Sequence, residues 1–171
     1  MLTLKTFLLI GALTFVNPGA QAQGAAQFSA ASAASEKVGE AYFAAYVARD
    51  WDRLEQLLAE GGSFADPTAA LVFGPVQNTG KVEVLKKFRE GYVAITHMSF
   101  NRSRAFFSGH HAVFEGTLDW SLKLKSGKLV VTKAMPLVTV LRIEDGLVVE
   151  HRDLADYHPY IDAHRTTTSG S

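Results

Sequence analysis

The chain has 171 residues, with 17 basic and 17 acidic side chains, no cysteine and 47% hydrophobic residues. The absence of cysteine excludes disulfides and thiol chemistry, and the balanced charge offers no basic surface for nucleic acid. A chain of this length and apolar content can build one full core and must stabilise itself through it.

Residues 1–22 predict a secretory leader. Lys5 precedes Thr6–Val16, a run of apolar and small residues about as long as a signal-peptide core, and Ala20-Gln21-Ala22 fits the small-x-small cleavage rule. The run is too short for an ordinary transmembrane helix. The expectation is cleavage after Ala22 and an exported protein, periplasmic or secreted, with no stable membrane anchor afterwards. Loss of Lys5 leaves 16 basic against 17 acidic residues, a net charge of about −1.

Residues 23–35, QGAAQFSAASAAS, are small and polar and read as a flexible spacer. Ser35 is placed to cap a helix running to about Arg49, with Val38, Tyr42, Phe43, Tyr46 and Val47 on its apolar face. Asp50 and Asp52 mark a break and a second helix, whose stripe is Leu54, Leu57 and Leu58 and whose stop is Gly61-Gly62. Ser63-Phe64-Ala65-Asp66 is a short extended piece ended by Pro67. A third helix is expected over 81–94, with Val82, Leu85, Phe88 and Tyr92 on one side.

From Met98 the period changes from helical to alternating. Strands are expected over 98–107, 111–124, 129–143 and 147–154, with turns at Ser126-Gly127 and Glu144-Asp145-Gly146. Three helices followed by an antiparallel meander is an α+β order, and its curved sheet can enclose an apolar cavity. The tail, residues 162–171 with RTTTSGS, has no apolar periodicity and reads as disordered. The single domain is then 36–161.

Side chains alternate along a strand. On the last strand Val149, His151 and Asp153 share one side, and Glu150, Arg152 and Leu154 the other. On the long strand Glu115, Thr117, Asp119 and Ser121 oppose Phe114, Gly116, Leu118, Trp120 and Leu122. Alternation by itself turns the first set toward water and the aromatic set toward the core.

The runs YFAAYVARDWDRLEQLLAEGGSFADP, GKVEVLKKFREGY and VTVLRIEDGLVVEHRDLADY resemble the nuclear transport factor 2-like superfamily over roughly residues 36–161. Within it the chain is most similar to SnoaL-like proteins, ketosteroid isomerases and limonene epoxide hydrolases. The resemblance implies a cystatin-like α+β cone, with three N-terminal helices packed in a curved antiparallel sheet. It also implies a pocket for a hydrophobic small molecule, either for cofactor-free acid–base chemistry (isomerase, cyclase or hydrolase) or for non-catalytic ligand binding or protein interaction.

Carried over by position, Asp66 of FADP stands where ketosteroid isomerases keep their proton-abstracting base. Thr139 stands where they keep a protonated aspartate, and a small residue near Ala44 where they keep a donor tyrosine; Tyr42 and Tyr46 lie to either side. Asp119 and Asp153 stand where limonene epoxide hydrolases keep two catalytic aspartates, with Thr117 at the position of their bridging arginine and His151 at that of a tryptophan. This alignment turns Glu115, Thr117 and Asp119 toward the cavity, against the alternation, and is preferred because the hairpin turn and the last-strand motif set the same register.

The expected catalytic set is therefore Asp66, Asp119 and Asp153, with Asp153 or Asp66 as base. The expected binding set is Tyr46, Phe64, Tyr92, Glu115, Thr117, Thr139 and His151. A carboxylate in an apolar cavity loses hydration, which suits it to proton transfer near neutral pH. His151, Asp153 and His158 match no strong zinc spacing, and no phosphate loop or nucleophile elbow appears, so neither metal nor cofactor is expected. A homodimer is expected through an outer sheet face carrying Phe114, Leu118 and Trp120.

Overall fold

The computed structural model describes residues 18–169. The expected signal peptide therefore lies largely outside the described residues.

Helix α1, Pro18–Ala48, takes in the segment 23–35 that composition suggested as a spacer. The physical reason is its alanine content, which favours helix above all other conformations. Ser32 and Ser35 also tie the helix to the domain: the Gly109 N–H donates to Ser32 Oγ at 2.8 Å, and Ser35 Oγ donates to the Gly109 carbonyl at 2.8 Å. Further along, α1 crosses the sheet closely. A Cβ on Gly39 would stand 2.5 Å from Ala112 Cβ, and Phe43 stacks on Phe114 at 4.3 Å.

Arg49, with φ of 58°, turns the chain, and the Asp50 side chain accepts from the Arg53 N–H to start α2, Trp51–Leu57. The glycine pair was expected to stop this helix, but it ends earlier. Leu58 leaves it to pair with Val148, and β1, Leu58–Asp66, carries Gly61-Gly62 through an irregularity in that pairing. Residues 68–71 form a 3-10 turn, followed by β2, Val76–Thr79, and α3, Lys81–Gly91. The long strands are β3, Ile95–Ser108, β4, His111–Lys123, β5, Leu129–Glu144, and β6, Leu147–Ala155.

The sheet is six-stranded in the order β2-β1-β6-β5-β4-β3, two strands more than the expected meander. It is not wholly antiparallel, because β1 runs parallel to β6. The fold is otherwise the expected α+β cone, with α1 and α3 inside the curl.

The chain end differs too. Residues 158–169 form helix α4 rather than a disordered tail. Tertiary contact overrides weak propensity here: Tyr160 is buried and stacks on Trp120 with centroids 4.9 Å apart. Asp156 Oδ1 accepts from the His158 N–H at 3.0 Å at the start of the helix. Thr166, Thr167 and Thr168 each return their hydroxyl to a carbonyl four residues earlier.

Burial along β4 alternates strictly from Ala112 to Trp120, and Phe114, Leu118 and Trp120 are the inward members. They are core residues, which corrects the expectation that they form an outer apolar face for pairing.

Candidate active site

A cavity of about 340 Å³ lies between the curl of the sheet and the helices. Its walls are mainly apolar and aromatic, including Phe64, Met98, Leu118, Trp120 and Leu137. The polar groups at its lining are Asp66, Lys87 and the hydroxyls of Tyr46, Tyr92 and Tyr157.

Asp66 ends β1, and Pro67 forces the turn that follows. Its side chain is 5% exposed. Oδ1 accepts from the Thr68 hydroxyl at 2.5 Å and the Ala69 N–H at 2.8 Å, and Oδ2 accepts from the Tyr157 hydroxyl at 2.6 Å. Thr68 is itself fixed, because its oxygen accepts from the Ala155 N–H at 2.9 Å. The carboxylate is therefore oriented by groups from the 3-10 turn and from the end of β6. Oδ2, with one protein donor, retains a lone pair for a ligand.

Asp153 is 3% exposed on β6 and lies one layer deeper, beyond the cavity lining. Three side chains donate to it: Thr139 Oγ1 at 2.5 Å, Tyr46 at 2.8 Å and His151 Nε2 at 3.0 Å. Burial pushes its carboxyl up, but the His151 charge and these three hydrogen bonds outweigh that and hold it below the usual value. His151 is fully buried, with Nδ1 3.3 Å from the Tyr42 hydroxyl. Nε2–H donates to Asp153, which leaves Nδ1 to the Tyr42 hydroxyl.

The hydroxyls follow a fixed direction. An ionised Asp153 can only accept, so Tyr46 donates to it, and Tyr92 must donate to Tyr46 across 2.6 Å. Burial, then the nearby Asp153 charge, raises the pKa of both Tyr46 and Tyr92. Burial and Asp66 do the same to Tyr157. These phenols stay protonated.

Asp119 does not join this group. It alternates with the inward Leu118 and Trp120 and stands on the outer face of the sheet. Lys133 Nζ and the Ala134 N–H each donate to it at 2.8 Å. The Ala134 N–H, followed by Lys133, lowers its pKa. Glu115 faces the same way and pairs with Arg104 at 2.7 Å, and Thr117 lies between them. The cavity-facing register expected for Glu115, Thr117 and Asp119 is thus corrected: the opposite residues are too large and apolar to leave the core. Asp119 and Asp153 occupy opposite sides of the sheet and cannot act on one bound molecule.

Of the other expected binding residues, Tyr46, Phe64 and Tyr92 line the cavity, whereas Thr139 and His151 lie in the layer behind it. Sequence reasoning did not place Tyr157, Lys87 or Trp120 at the cavity. Tyr157 lies just past the end of β6, and its spacing from Asp153 is the signal that could have found it. Among the described residues, no group of three or more His, Cys, Asp or Glu is arranged to hold a metal ion.

The SnoaL-like domain family matches residues 39–151. No curated protein is similar enough to count as a match. Among solved structures, a protein from Shewanella putrefaciens CN-32, described as a SnoaL-like polyketide cyclase, is 22% identical. The alignment covers 77% of this chain and 96% of that one with a TM-score of 0.68. An LEH-like epoxide hydrolase from M. tuberculosis is 14% identical over 81% of this chain and 94% of its own, with a TM-score of 0.60. A protein from Kribbella flavida DSM 17836 described as a ketosteroid isomerase is 20% identical over 73% and 79%, with a TM-score of 0.55. At these identities the likeness is one of fold.

Proposed function

Because the chain belongs to the SnoaL-like domain family, we propose that its cavity binds a small, largely apolar carbonyl compound and that Asp66 moves a proton on it. The observation that carries this reading is the placement of Asp66: a carboxylate 5% exposed, oriented by three donors, in a mainly apolar cavity of about 340 Å³. Such a group is a suitable general base for a C–H bond beside a carbonyl. Oδ2 takes the proton, the C–H electron pair becomes the C=C of an enolate, and the carbonyl oxygen gains the charge. Returning the proton to another carbon gives isomerisation. Attack of the enolate carbon on a second carbonyl of the same molecule forms the ring C–C bond and breaks that carbonyl's π bond, and the alkoxide so formed takes the proton back from Asp66, which gives cyclisation.

Asp153 has a different part in this reading. It lies behind the cavity lining, so it fixes the direction of the Tyr46–Tyr92 pair rather than meeting the ligand. The leader-like residues 1–22 support action after export, and homogeneous mature protein beginning at Gln23 would support that part.

The test is exchange of solvent deuterium into the carbon adjacent to the carbonyl of 1-tetralone, followed by NMR. The wild type accelerates exchange, and Asp66→Asn lowers the rate by about a hundredfold or more while retaining ligand binding. Equal exchange by both proteins would remove Asp66 from the chemistry. Binding without exchange in the wild type would leave a non-catalytic ligand-binding or interaction module.

A further inference from the structure

Two charged side chains line the cavity, Asp66 and Lys87. Asp66 accepts from three protein donors, whereas the Lys87 ammonium makes no hydrogen bond or ion pair among the described residues. The other cations of α3 behave differently. Lys81 pairs with Glu60 at 2.8 Å, Arg89 pairs with Asp52 at 2.8 Å and Glu55 at 3.0 Å, and Lys86 is exposed and lies outside the lining. The cavity-lining cation of this helix is thus the one that is half-buried with no carboxylate beside it.

Its position follows from the helix. Lys87 and Gly91 are one turn apart, share a face of α3 and both line the cavity. The lysine stem runs over the bare backbone of Gly91: a Cβ there would stand 3.6 Å from Cδ, 3.7 Å from Cε and 3.8 Å from Nζ. Gly91 is exposed, so the ammonium sits at the rim, where water reaches it. A ligand that fills the cavity displaces some of that water, and a half-buried charge then needs a counter-charge more than a neutral acceptor. The phenols of the lining cannot replace the lysine as donors, because Tyr92 donates to Tyr46, Tyr46 to Asp153 and Tyr157 to Asp66.

We propose that Lys87 is a specificity residue that receives the carboxylate of an apolar oxo acid at the rim of the cavity. It rests on the cavity being the ligand site, as the proposed function has it, and not on proton transfer by Asp66. The two charges orient such a ligand. Asp66 repels its carboxylate and Lys87 attracts it, so the acid group stays at the rim and the apolar, ketone-bearing body turns inward.

The experiment compares 3-benzoylpropionate, an aryl ketone with a carboxylate, with its methyl ester, which has the same ketone and no charge. Affinities are measured by calorimetry on the full chain, and deuterium exchange beside the ketone is followed in the same samples. The wild type binds the acid about tenfold tighter than the ester at low ionic strength, and the preference shrinks in about 1 M salt because the rim is open to ions. Lys87→Met brings the acid down to the level of the ester, and Lys87→Arg, which keeps the charge, keeps the preference. Equal wild-type affinity for acid and ester overturns the proposal and leaves Lys87 as a cation that serves the C-terminal end of its helix. A preference that survives in Lys87→Met overturns it too, since the carboxylate is then held elsewhere. Exchange without an acid preference removes this proposal alone. An acid preference lost in Lys87→Met, with no exchange in the wild type, supports it and removes the chemistry of Asp66. If neither compound binds, both readings fall together.

Discussion

The Tyr46 hydroxyl donates to Asp153 Oδ2 at 2.8 Å while accepting the Tyr92 hydroxyl at 2.6 Å, which joins the cavity lining to a carboxylate sealed behind it. Tyr46 is the one member of this relay bonded on both sides, so its removal has two consequences and that of Tyr92 has one. Tyr46→Phe should cost about 2 kcal/mol of stability and Tyr92→Phe about 1 kcal/mol, read from urea denaturation. Equal costs would show that the bond to Asp153 contributes nothing separate.

Asp153 should govern part of the acid response. Its folded pKa lies below the ordinary value: burial raises it, but His151 and three hydrogen bonds bring it down further. A depressed carboxylate pKa contributes its stability in full above the unfolded-state value and loses it as pH falls through the folded one. Asp153→Asn should therefore cost about 3 kcal/mol at neutral pH, and the gap to wild type should narrow below about pH 4. A gap that stays constant down to acid unfolding would assign the cost to packing rather than to charge.

On the outer face, Asp119→Asn should leave tetralone affinity and exchange unchanged within about twofold, because the sheet separates it from the cavity. Its neighbour Ala134 has φ of 51°, a left-handed conformation held through the Ala134 N–H to Asp119 contact. Ala134→Gly relieves that strain and should be neutral to stabilising, by up to about 1 kcal/mol in thermal or urea unfolding. A clear loss of stability would show that the alanine methyl packs usefully there.

Gly116 lies where β3 and β4 approach closely. A Cβ there would stand 2.2 Å from the Asn101 carbonyl oxygen and 2.8 Å from Phe100 Cζ. Backbone cannot yield as a side-chain end can, so Gly116→Ala should cost about 2 kcal/mol or more by chemical denaturation. A neutral substitution would mean that β3 is free to shift.

The long strands and the helix faces were legible because burial acts on every second or every third and fourth residue, and those periods survive in the sequence. Of β1 only the end, Ser63–Asp66, was legible; its first half was not, since Gly61-Gly62 looks like a helix stop and its strand character comes from pairing with β6, 86 residues away at the Ser63 to Val149 contact. The tail was not legible either, because a threonine-rich run has poor helix propensity and α4 depends on Tyr160 meeting Trp120. At the site, Asp66 stood out through the proline that follows it. Asp119 was misplaced when positional resemblance was preferred to the simple alternation, which turned the aromatic residues of β4 inward. Trp120 and Lys87 went unnoticed as lining residues because a cavity wall is made by side chains from many elements and is visible only once those elements are assembled.

The parallel pairing of β1 with β6 also sets an order of assembly. β1 leaves the ribosome long before its central partner exists, and β2 alone cannot shield its other edge. The cavity floor at Asp66 needs Tyr157 and the Ala155 N–H, which follow in the last part of the chain. The domain therefore acquires its pocket in a late, non-local step, and a chain shortened before Ala155 would lose the donors that orient Asp66.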